Sequence, residues 1–375
     1  MSVLSVQMRD FRTYARAETS VGEGLTVVHG ANGAGKSNLL EAIYYGCTAR
    51  SPRTRNEREL IRFGASATRV VVRLLDHDEQ HELAVGFGAL GVDGQVARQT
   101  KRMSVDGALV ERLLDVEVRP LVSVFLPDRL ELIKGPPACR RAHLDQFVAA
   151  IWPARADARR RYSQVLAQRN ALLARMRARG AVDATLSTWD RELAAAALEL
   201  QAHRAAAVEL LAHPFARHAA QLGHSGEIRI DYRPRSHAQD VEQYVAELEE
   251  RLSGDLERGF TGHGPHRDEL AVTSDRRELR VYGSQGEQRL ALLALLLAER
   301  SVLAGERGRT PLMLLDDVMS ELDGERREML VRELQTGGQS IIATTDLAHV
   351  PGATDASVAR LHVSAGTVLQ EALAA

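Results

Sequence analysis

Residues 30–37 could bind the phosphate groups of a nucleotide. They read Gly-Ala-Asn-Gly-Ala-Gly-Lys-Ser and match the pattern G-x-x-x-x-G-K-S/T at every fixed position. An apolar run, residues 25–28, precedes them, and a predicted helix follows. Glycines allow successive backbone N–H groups to turn toward phosphate oxygens, and the start of a helix attracts negative charge. The sequence therefore predicts a nucleotide-binding loop made of Gly30, Ala31, Asn32, Gly33, Ala34, Gly35, Lys36, Ser37 and Asn38.

Lys36, Ser37 and a pair of acids supply the groups that nucleotide hydrolysis needs. The ammonium of Lys36 would reach the β- and γ-phosphates, and the hydroxyl of Ser37 would bind Mg²⁺. A second apolar run, residues 311–315, ends at Asp316 and Asp317. Carboxylates at the end of a buried strand are costly to desolvate unless they meet a cation. We therefore expect Asp316 to bind Mg²⁺ and Asp317 to polarise the attacking water, with Lys36 as the third candidate catalytic residue.

The elements that must position these residues are predicted by the hydrophobic periodicity. Residues 1–115 read as short strands around one helix that begins near Gly35, and the chain from about residue 260 alternates between helices and strands. Residues 136–211 instead have the helical spacing of apolar residues, with a turn near Gly180. We therefore expect an α/β head formed by residues 1–120 and 256–375, with residues 121–255 inserted as a mainly helical lobe.

Composition excludes several classes of protein. The chain has 375 residues, of which 45% are hydrophobic and 26% charged, so it is neither a disulfide-stapled miniprotein nor a largely disordered chain. Its two cysteines, Cys47 and Cys139, form neither a disulfide framework nor a zinc site. No apolar run approaches the ~18 residues of a membrane span, and charge follows the N-terminus too early for a secretory signal. We expect a cytoplasmic protein with no membrane partner.

Net charge gives no argument for a nucleic-acid partner, but local charge does. The formal net charge is −2, so DNA binding would need a basic patch. Ten arginines and only two acids lie between Arg140 and Arg179. Within this stretch Arg159, Arg160 and Arg161 are the candidate DNA-binding residues. The alternative is a solvated helical hairpin whose arginines pair with the neighbouring acidic helix near residues 247–250.

Three further segments narrow the class of nucleotide-binding protein. Residues 284–288, Ser-Gln-Gly-Glu-Gln, open a long apolar helix and resemble the signature motif of ABC-type ATPases, from which they depart at two positions. Ser320 and Asp323 follow the paired acids and resemble the D-loop of that class. Residues 127–135 lie where the class has its Q-loop. The resemblance implies an α/β fold, namely an ABC-type P-loop ATPase head with an inserted, mainly helical second lobe.

Taken together, these segments are similar to the RecF family of bacterial recombination-mediator ATPases. The resemblance implies ATP and Mg²⁺ as cofactors, an ATP-dependent homodimer with two nucleotides at its interface, and slow hydrolysis. It also implies binding to gapped DNA or to junctions of single- and double-stranded DNA, with RecR and RecO as partners in loading the strand-exchange protein. The matching segments are residues 10–14, 30–37, 53–62, 127–135, 168–170, 264–268, 284–286 and 315–323.

The resemblance further assigns roles to residues outside the phosphate-binding loop. It implies that Arg12 and Arg53 lie near the nucleotide, although both could equally be surface ion-pair partners. Residues 264–268 indicate no chemistry of their own beyond a Gly-Pro turn with solvated polar residues, so a role for His266 or Arg267 in the dimeric ATP site or the DNA path stays open. The signature residues that the resemblance expects to act on the nucleotide of the partner chain are Ser284, Gln285, Gly286 and Glu287.

Two departures from the wider ABC class bear on the rate of hydrolysis. Asp317 stands where most members have glutamate, and the side chain is shorter by one methylene. No histidine ends the predicted strand at residues 341–346, so the usual γ-phosphate switch is missing. His349 lies close by in the sequence and is interpreted as a surface histidine. The RecF family tolerates both departures.

Three other functions are weighed against this interpretation. A transport ATPase subunit would carry the full signature, an aromatic adenine platform and a switch histidine, most of which this chain lacks. A DNA-bridging head of the chromosome-maintenance type would join coiled coils of hundreds of residues, whereas this insertion has ~140. A binding switch with negligible catalysis differs from a slow ATPase only in degree.

Overall fold

The structure, a computed structural model, describes residues 1–89, 99–179 and 184–371 and consists of two compact units. Unit 1 contains Met1–Arg129 and Leu303–Ala375, and unit 2 contains Leu130–Val302. Unit 2 is thus inserted in unit 1, but its boundaries differ from those expected at 120/121 and 255/256. The second boundary lies later because residues 256–302 contribute two strands and most of a long helix to the inserted unit.

Strands and helices are numbered along the chain. The first part of unit 1 contains β1 (Ser2–Phe11), β2 (Tyr14–Ser20), β3 (Leu25–His29), α1 (Lys36–Thr48), β4 (Ala67–Asp76), β5 (Glu79–Ala89), β6 (Gln99–Val105), β7 (Ala108–Val110) and β8 (Val122–Phe125). The inserted residues form α2 (Glu131–Lys134), α3 (Pro137–Ile151), α4 (Ala158–Arg179), α5 (Leu186–Gln221), β9 (Ile228–Arg233), α6 (Val241–Glu250), α7 (Leu252–Arg258), β10 (Glu269–Ser274), β11 (Arg277–Glu278), α8 (Leu279–Tyr282) and α9 (Gln285–Arg307). The chain then forms β12 (Leu312–Asp316), α10 (Gly324–Gln335), β13 (Ser340–Thr344), β14 (Ala359–Ser364) and β15 (Thr367–Gln370).

The described residues of unit 1 form two sheets that share one core. An antiparallel sheet has the order β2-β1-β4-β5-β6-β7. Exposed polar residues such as Arg69 and Arg73 interrupt the mainly apolar buried positions of β4, as expected for a sheet with one largely solvated face. The other sheet has the order β15-β14-β3-β13-β12-β8 and is parallel except for the β14–β15 pair. Strands β12 and β13 are buried throughout, so they read as unbroken apolar runs.

Helix α1 packs against strands of both sheets, which fixes the phosphate-binding loop at its start. Ten of its thirteen residues are buried, and Gly46 allows β4 to approach because an added Cβ would collide with Val72. The loop follows β3, and the paired acids follow β12, with only β13 between these strands. Since the carboxyl ends of parallel strands share one edge of a sheet, this topology brings the two motifs together.

Unit 2 is mainly helical, as its apolar spacing predicts, and also contains a small sheet. Helices α4 and α5 pack against each other, and α5 continues for 36 residues to Gln221, beyond the predicted end near residue 211. The turn predicted near Gly180 lies outside the described residues. Strands β9, β10 and β11 form an antiparallel sheet. Within the described ranges, no helix is both long and apolar enough to cross a membrane.

Candidate functional site

The start of α1 has the free backbone donors that a phosphate group requires. Gly35 precedes the helix with φ 119°, a conformation that favours glycine, and its carbonyl accepts a hydrogen bond from the Tyr14 hydroxyl at 2.8 Å. No side chain caps this helix, and its first turn contains no acidic residue. The first backbone N–H groups of a helix have no partner within it, and the helix dipole adds positive potential there. The geometry therefore suits an anion at residues 33–37.

The side chain of Lys36 is buried inside the phosphate-binding loop. Its ammonium donates hydrogen bonds to the carbonyl oxygens of Gly30 at 2.8 Å and Ala31 at 3.0 Å, and only 8% of the residue is exposed. Burial lowers the pKa of Lys36, although the nearby carboxylates of Asp316 and Asp317 act in the opposite direction. A charged phosphate beside the ammonium would favour its protonated form still further.

Ser37 and Asp316 meet across the edge of the parallel sheet. The Ser37 hydroxyl donates a hydrogen bond to Asp316 Oδ1 at 3.0 Å, although the residues are 279 positions apart in the sequence. Burial raises the pKa of Asp316, and the hydrogen bond from Ser37 opposes that effect. A hydroxyl and a buried carboxylate are oxygen ligands of the kind that Mg²⁺ accepts, so these residues fit the predicted metal site.

Asp317 follows β12 in an unusual backbone conformation. Its φ is 51°, in the left-handed region that residues other than glycine rarely adopt. Its backbone N–H donates to the Ala343 carbonyl at 3.0 Å, which anchors the residue to β13. Its Oδ1 atom is buried and has no hydrogen-bond partner among the described residues. Such an orphaned acceptor is available to a water molecule at the site.

Arg12 and Arg53 both contact Glu41, a buried acid that the sequence interpretation missed. Arg12 binds the two carboxylate oxygens of Glu41 at 2.8 and 2.9 Å, and Arg53 contacts the same carboxylate at 3.2 Å. Glu41 is 1% exposed and lies on α1, one turn after Ser37. Arg53 also donates to the Asn38 side chain at 2.9 Å. An acid within the apolar stretch after the loop was the available signal, since a buried carboxylate requires cations.

The signature residues form a capping box at the start of α9. The Ser284 hydroxyl accepts a hydrogen bond from the Glu287 N–H at 3.2 Å, and the Glu287 carboxylate accepts one from the Ser284 N–H at 2.7 Å. These hydrogen bonds lower the pKa of Glu287. Gln285 and Gly286 are exposed between them. The helix start that was expected to face an anion is therefore capped by its own side chains in this chain.

The D-loop residues shape the turn between β12 and α10. The Ser320 hydroxyl donates to the Asp317 carbonyl at 2.8 Å. Asp323 caps α10 by accepting a hydrogen bond from the Arg326 N–H at 2.9 Å. Beyond β13, His349 is half-buried in a short turn, and its Nδ1 atom has no partner among the described residues.

Residues 168–170, one segment of the family resemblance, bind Thr261, which precedes another such segment, residues 264–268. Arg169 is fully buried and binds Asp190 at 2.6 Å, Asp255 at 2.9 Å and the Thr261 hydroxyl at 2.8 Å. The Asn170 side chain accepts hydrogen bonds from the same Thr261, through its N–H and its hydroxyl. Arg169 and Asn170 thus hold the loop at residues 261–268 to helix α4.

Within that loop, His266 is held as a neutral imidazole. Its Nε2 atom lies 3.0 Å from the Thr261 carbonyl, to which it donates, so its Nδ1 atom accepts from the Tyr162 hydroxyl at 2.6 Å. Burial lowers the pKa of His266, and the charges of Arg267 and Arg141 add to the effect. Arg267 itself is exposed.

The three arginines predicted to bind DNA each form an ion pair. Arg159 contacts Asp145 at 3.3 Å, Arg160 contacts Asp157 at 3.0 Å, and Arg161 contacts Glu199 at 3.0 Å. All three side chains are more than half exposed. Exposed ion pairs are weak, so these contacts do not remove the arginines from competition for phosphate. The ion pairs favour the alternative of a solvated hairpin. The acids that form them, Asp145, Asp157 and Glu199, lie outside the acidic helix near residues 247–250.

Comparison with known proteins identifies the same relatives from sequence and from structure. The model of the RecF/RecN/SMC N-terminal domain family matches residues 2–366. The chain is 36% identical to the DNA replication and repair protein RecF of Herpetosiphon aurantiacus, over 98% of this chain and 99% of that protein. It is equally identical to the protein of that name from Myxococcus xanthus, over 98% and 97%.

Solved structures extend this result to the fold. The recombination mediator protein RecF of the RecFOR pathway, in its ATPrS form, matches with a TM-score of 0.83 and 28% identity, covering 99% of this chain and 98% of that one. An SMC head bound to the C-terminal winged-helix domain of ScpA matches with a TM-score of 0.60 and 16% identity, covering 100% and 98%, which shows the fold alone. The predicted ABC-type head is confirmed by these matches.

Proposed function

The chain belongs to the RecF family, and on this premise we propose that it is a DNA-associated ATPase that ATP drives into a homodimer. The dimer holds two ATP molecules at its interface and binds gapped DNA or junctions of single- and double-stranded DNA. Slow hydrolysis then releases it. RecR and RecO act with it in loading the strand-exchange protein, as the RecFOR pathway named for the matching structure suggests.

The observation that carries this proposal is the hydrogen bond between Ser37 and Asp316 beside an uncapped helix start. The pair joins the phosphate-binding loop to the acidic strand end at 3.0 Å, and α1 leaves its first N–H groups available. A nucleotide would then be bound by the residue 33–37 backbone and Lys36, with Ser37 and Asp316 as metal ligands. Mg²⁺ in such a site neutralises charge on the β- and γ-phosphates.

The chain's own groups supply the rest of the hydrolysis reaction. Lys36 stabilises negative charge as it develops on the transferred phosphoryl group. Asp317 orients and polarises the attacking water through its unpartnered Oδ1 atom. Its side chain is one methylene shorter than the glutamate of most ABC-type ATPases, and its backbone is anchored to Ala343. A shorter and anchored carboxylate positions the attacking water less well, which supports slow hydrolysis. Slow hydrolysis suits a dimer that must remain assembled on DNA.

The nucleotide dependence of assembly tests the proposal. We expect the chain to elute at the mass of a monomer with ADP, and at the mass of a dimer with ATP or a non-hydrolysable analogue, with gapped DNA stabilising the dimer. Size-exclusion chromatography with light scattering measures this, and hydrolysis of radiolabelled ATP under single-turnover conditions gives the rate. An elution mass that is the same with every nucleotide, in the presence and absence of gapped DNA, would contradict the proposal.

A further inference from the structure

The outer face of the antiparallel sheet carries arginines that strand register brings side by side. Arg16 of β2 pairs with Arg9 of β1, and Arg9 also pairs with Arg69 of β4. Arg69 pairs with Gly86 of β5, and Gly86 pairs with Arg102 of β6. Directly paired residues project from the same side of a sheet. The four side chains thus form one line across five strands, which we call the arginine row.

The side chains of the arginine row form no ion pair within residues 1–89, 99–179 and 184–371. The four residues are exposed, and no side-chain hydrogen bond joins any of them to the described residues. Two acids of the same face, Glu18 and Glu82, instead contact Arg73, at 3.2 and 3.5 Å. Like charges directly opposite in paired strands destabilise a sheet. The row is therefore unfavourable in the free protein, and an anion that spans several strands would relieve it.

A groove of about 880 Å³ opens beside the arginine row. Arg9, Arg69 and Arg102 line it, together with small residues that include Gly86. Two acids, Asp10 and Glu82, also line it, and they are paired with Arg62 and Arg73. Gly86 interrupts the row between Arg69 and Arg102, and it has no side chain to fill the space. An added Cβ at Gly86 would meet only the Thr68 carbonyl, at 3.7 Å. The guanidinium groups thus border a shallow groove that a bulky anion can approach.

We propose that the arginine row and its groove bind the phosphate backbone of duplex DNA. This inference rests on the proposed function and adds the surface that contacts DNA. Four strand intervals of about 4.8 Å give the row a length of about 19 Å, which exceeds the reach of a single small anion. Duplex DNA presents one charge per ~1.7 Å of its axis, so several phosphates lie within that length. Each guanidinium fork can bind two oxygens of one phosphate, and four cations in one line match the regular array of phosphates along a duplex, which favours DNA over an acidic protein segment.

Neutralising the row tests the proposal directly. We expect the triple variant Arg9→Gln, Arg69→Gln, Arg102→Gln to flatten the slope of log affinity for duplex DNA against log salt by roughly two to three units, since each lost phosphate contact removes about 0.9. Its affinity for ATP should be unchanged, and its Tm unchanged or higher because the repulsion is gone. Arg73→Gln is the matched control, because that arginine lies on the same face but is already paired. Its slope should stay within about one unit of the wild-type slope.

A second pair of variants keeps every arginine in place. Gly86→Glu puts a carboxylate between Arg69 and Arg102, whereas Gly86→Gln has nearly the same shape and no charge. We expect Gly86→Glu to weaken duplex binding by about tenfold or more at 50 mM salt and to raise the Tm above that of Gly86→Gln. Equal DNA affinities for the two variants would overturn the proposal.

Three further outcomes would also overturn it. The first is an unchanged salt slope in the triple variant, whether or not neutralising Arg159, Arg160 and Arg161 flattens it. The second is a triple variant that no longer binds polyglutamate, a probe for acidic protein segments, but still binds DNA like the wild type. That result would assign this face of the sheet to an acidic protein. The third is a wild-type protein that binds no DNA with any nucleotide, which removes the proposed function as well. A wild-type protein that dimerises with ATP and binds DNA independently of the row contradicts this surface alone.

Discussion

At the scale of single residues, the proposed ATP site combines two acids with different surroundings. Asp316 contacts Ser37 and lies where a metal would bind, while Asp317 is turned by its left-handed backbone and keeps a free buried oxygen. Lys36 completes the site on the phosphate side, with its ammonium bound to loop carbonyls. The three residues therefore differ in what they touch, and their substitutions should differ in effect.

We predict that Lys36→Ala abolishes ATP binding, whereas Asp317→Asn retains it. Lys36 lies in the phosphate-binding loop, but Asp317 is expected to act only on the attacking water, so its amide should slow hydrolysis by ~10²-fold or more. Isothermal titration with ATP measures the first effect, and single-turnover hydrolysis measures the second. Asp317→Asn should also prolong the dimeric state in ATP. Loss of ATP binding in both variants would contradict this division of roles.

At the scale of elements, the loop at residues 261–268 is a structural connection within unit 2. One of its two glycines, Gly264, has φ 130°, and an added Cβ there would lie 2.7 and 2.8 Å from the hydroxyls of Tyr244 and Tyr162. Asp268, at its end, is fully buried and accepts hydrogen bonds from the Arg235 N–H and from Tyr232. The resemblance left a role for His266 and Arg267 open. The contacts of His266 are with α4 and its own loop, and only Arg267 remains exposed.

We predict that stability of the protein falls below pH ~6.5 in part because of His266. Its pKa is lowered in the folded state, so the unfolded chain binds more protons, and folding stability present above the ordinary histidine pKa is lost as the pH decreases. The wild-type Tm should decrease between pH 7.5 and 5.5 by about one or two degrees more than that of His266→Gln. Thermal unfolding followed by circular dichroism measures this, and His77→Gln, at an exposed histidine of unit 1, is the control. Parallel pH profiles for wild type and His266→Gln would refute the interpretation.

At the scale of the whole molecule, the ATP site is distributed over both ends of the chain. The phosphate-binding loop and the acids belong to the two segments of unit 1, and the signature begins α9 within unit 2. Ser284 and Glu287 cap their own helix, which leaves Gln285 and Gly286 exposed for a partner. Family resemblance assigns this signature to the nucleotide of a second chain.

We predict that two inactive variants restore activity when mixed. A Lys36→Ala chain lacks one ATP site and a Ser284→Arg chain lacks a functional signature, so a heterodimer contains one intact composite site if the signature acts in trans. Hydrolysis should recover to about a quarter of the wild-type rate in a random mixture, because half of the dimers are mixed and each has one site. Tagged heterodimers purified by two affinity steps check the assembly. No recovered hydrolysis in such heterodimers would exclude action in trans.

Much of the fold and the site was accessible from local sequence. Residues 30–37 predicted the loop, the apolar run before Asp316 predicted a buried strand, and helix α1 begins where the glycine pattern ends. These features depend on short-range chemistry, because glycine torsions, helix starts and unbroken apolar runs are encoded within a few residues. The compact units divide between Val302 and Leu303, later than the boundary expected near residue 256, because the pattern of helices and strands marks single elements and not the unit that buries them.

Only the tertiary structure decided which distant residues meet. Ser37 and Asp316 are adjacent because β13 alone separates their strands, and Glu41 binds Arg12 and Arg53 because α1 packs between two sheets. The arginine row exists only through the register of five strands, and a shift of one residue would turn each arginine to the other face. The sequence by itself determined the chemistry that each segment can perform. Strand register and strand order determined which of these groups lie together. Both depend on pairing between distant segments, which a local sequence pattern does not predict.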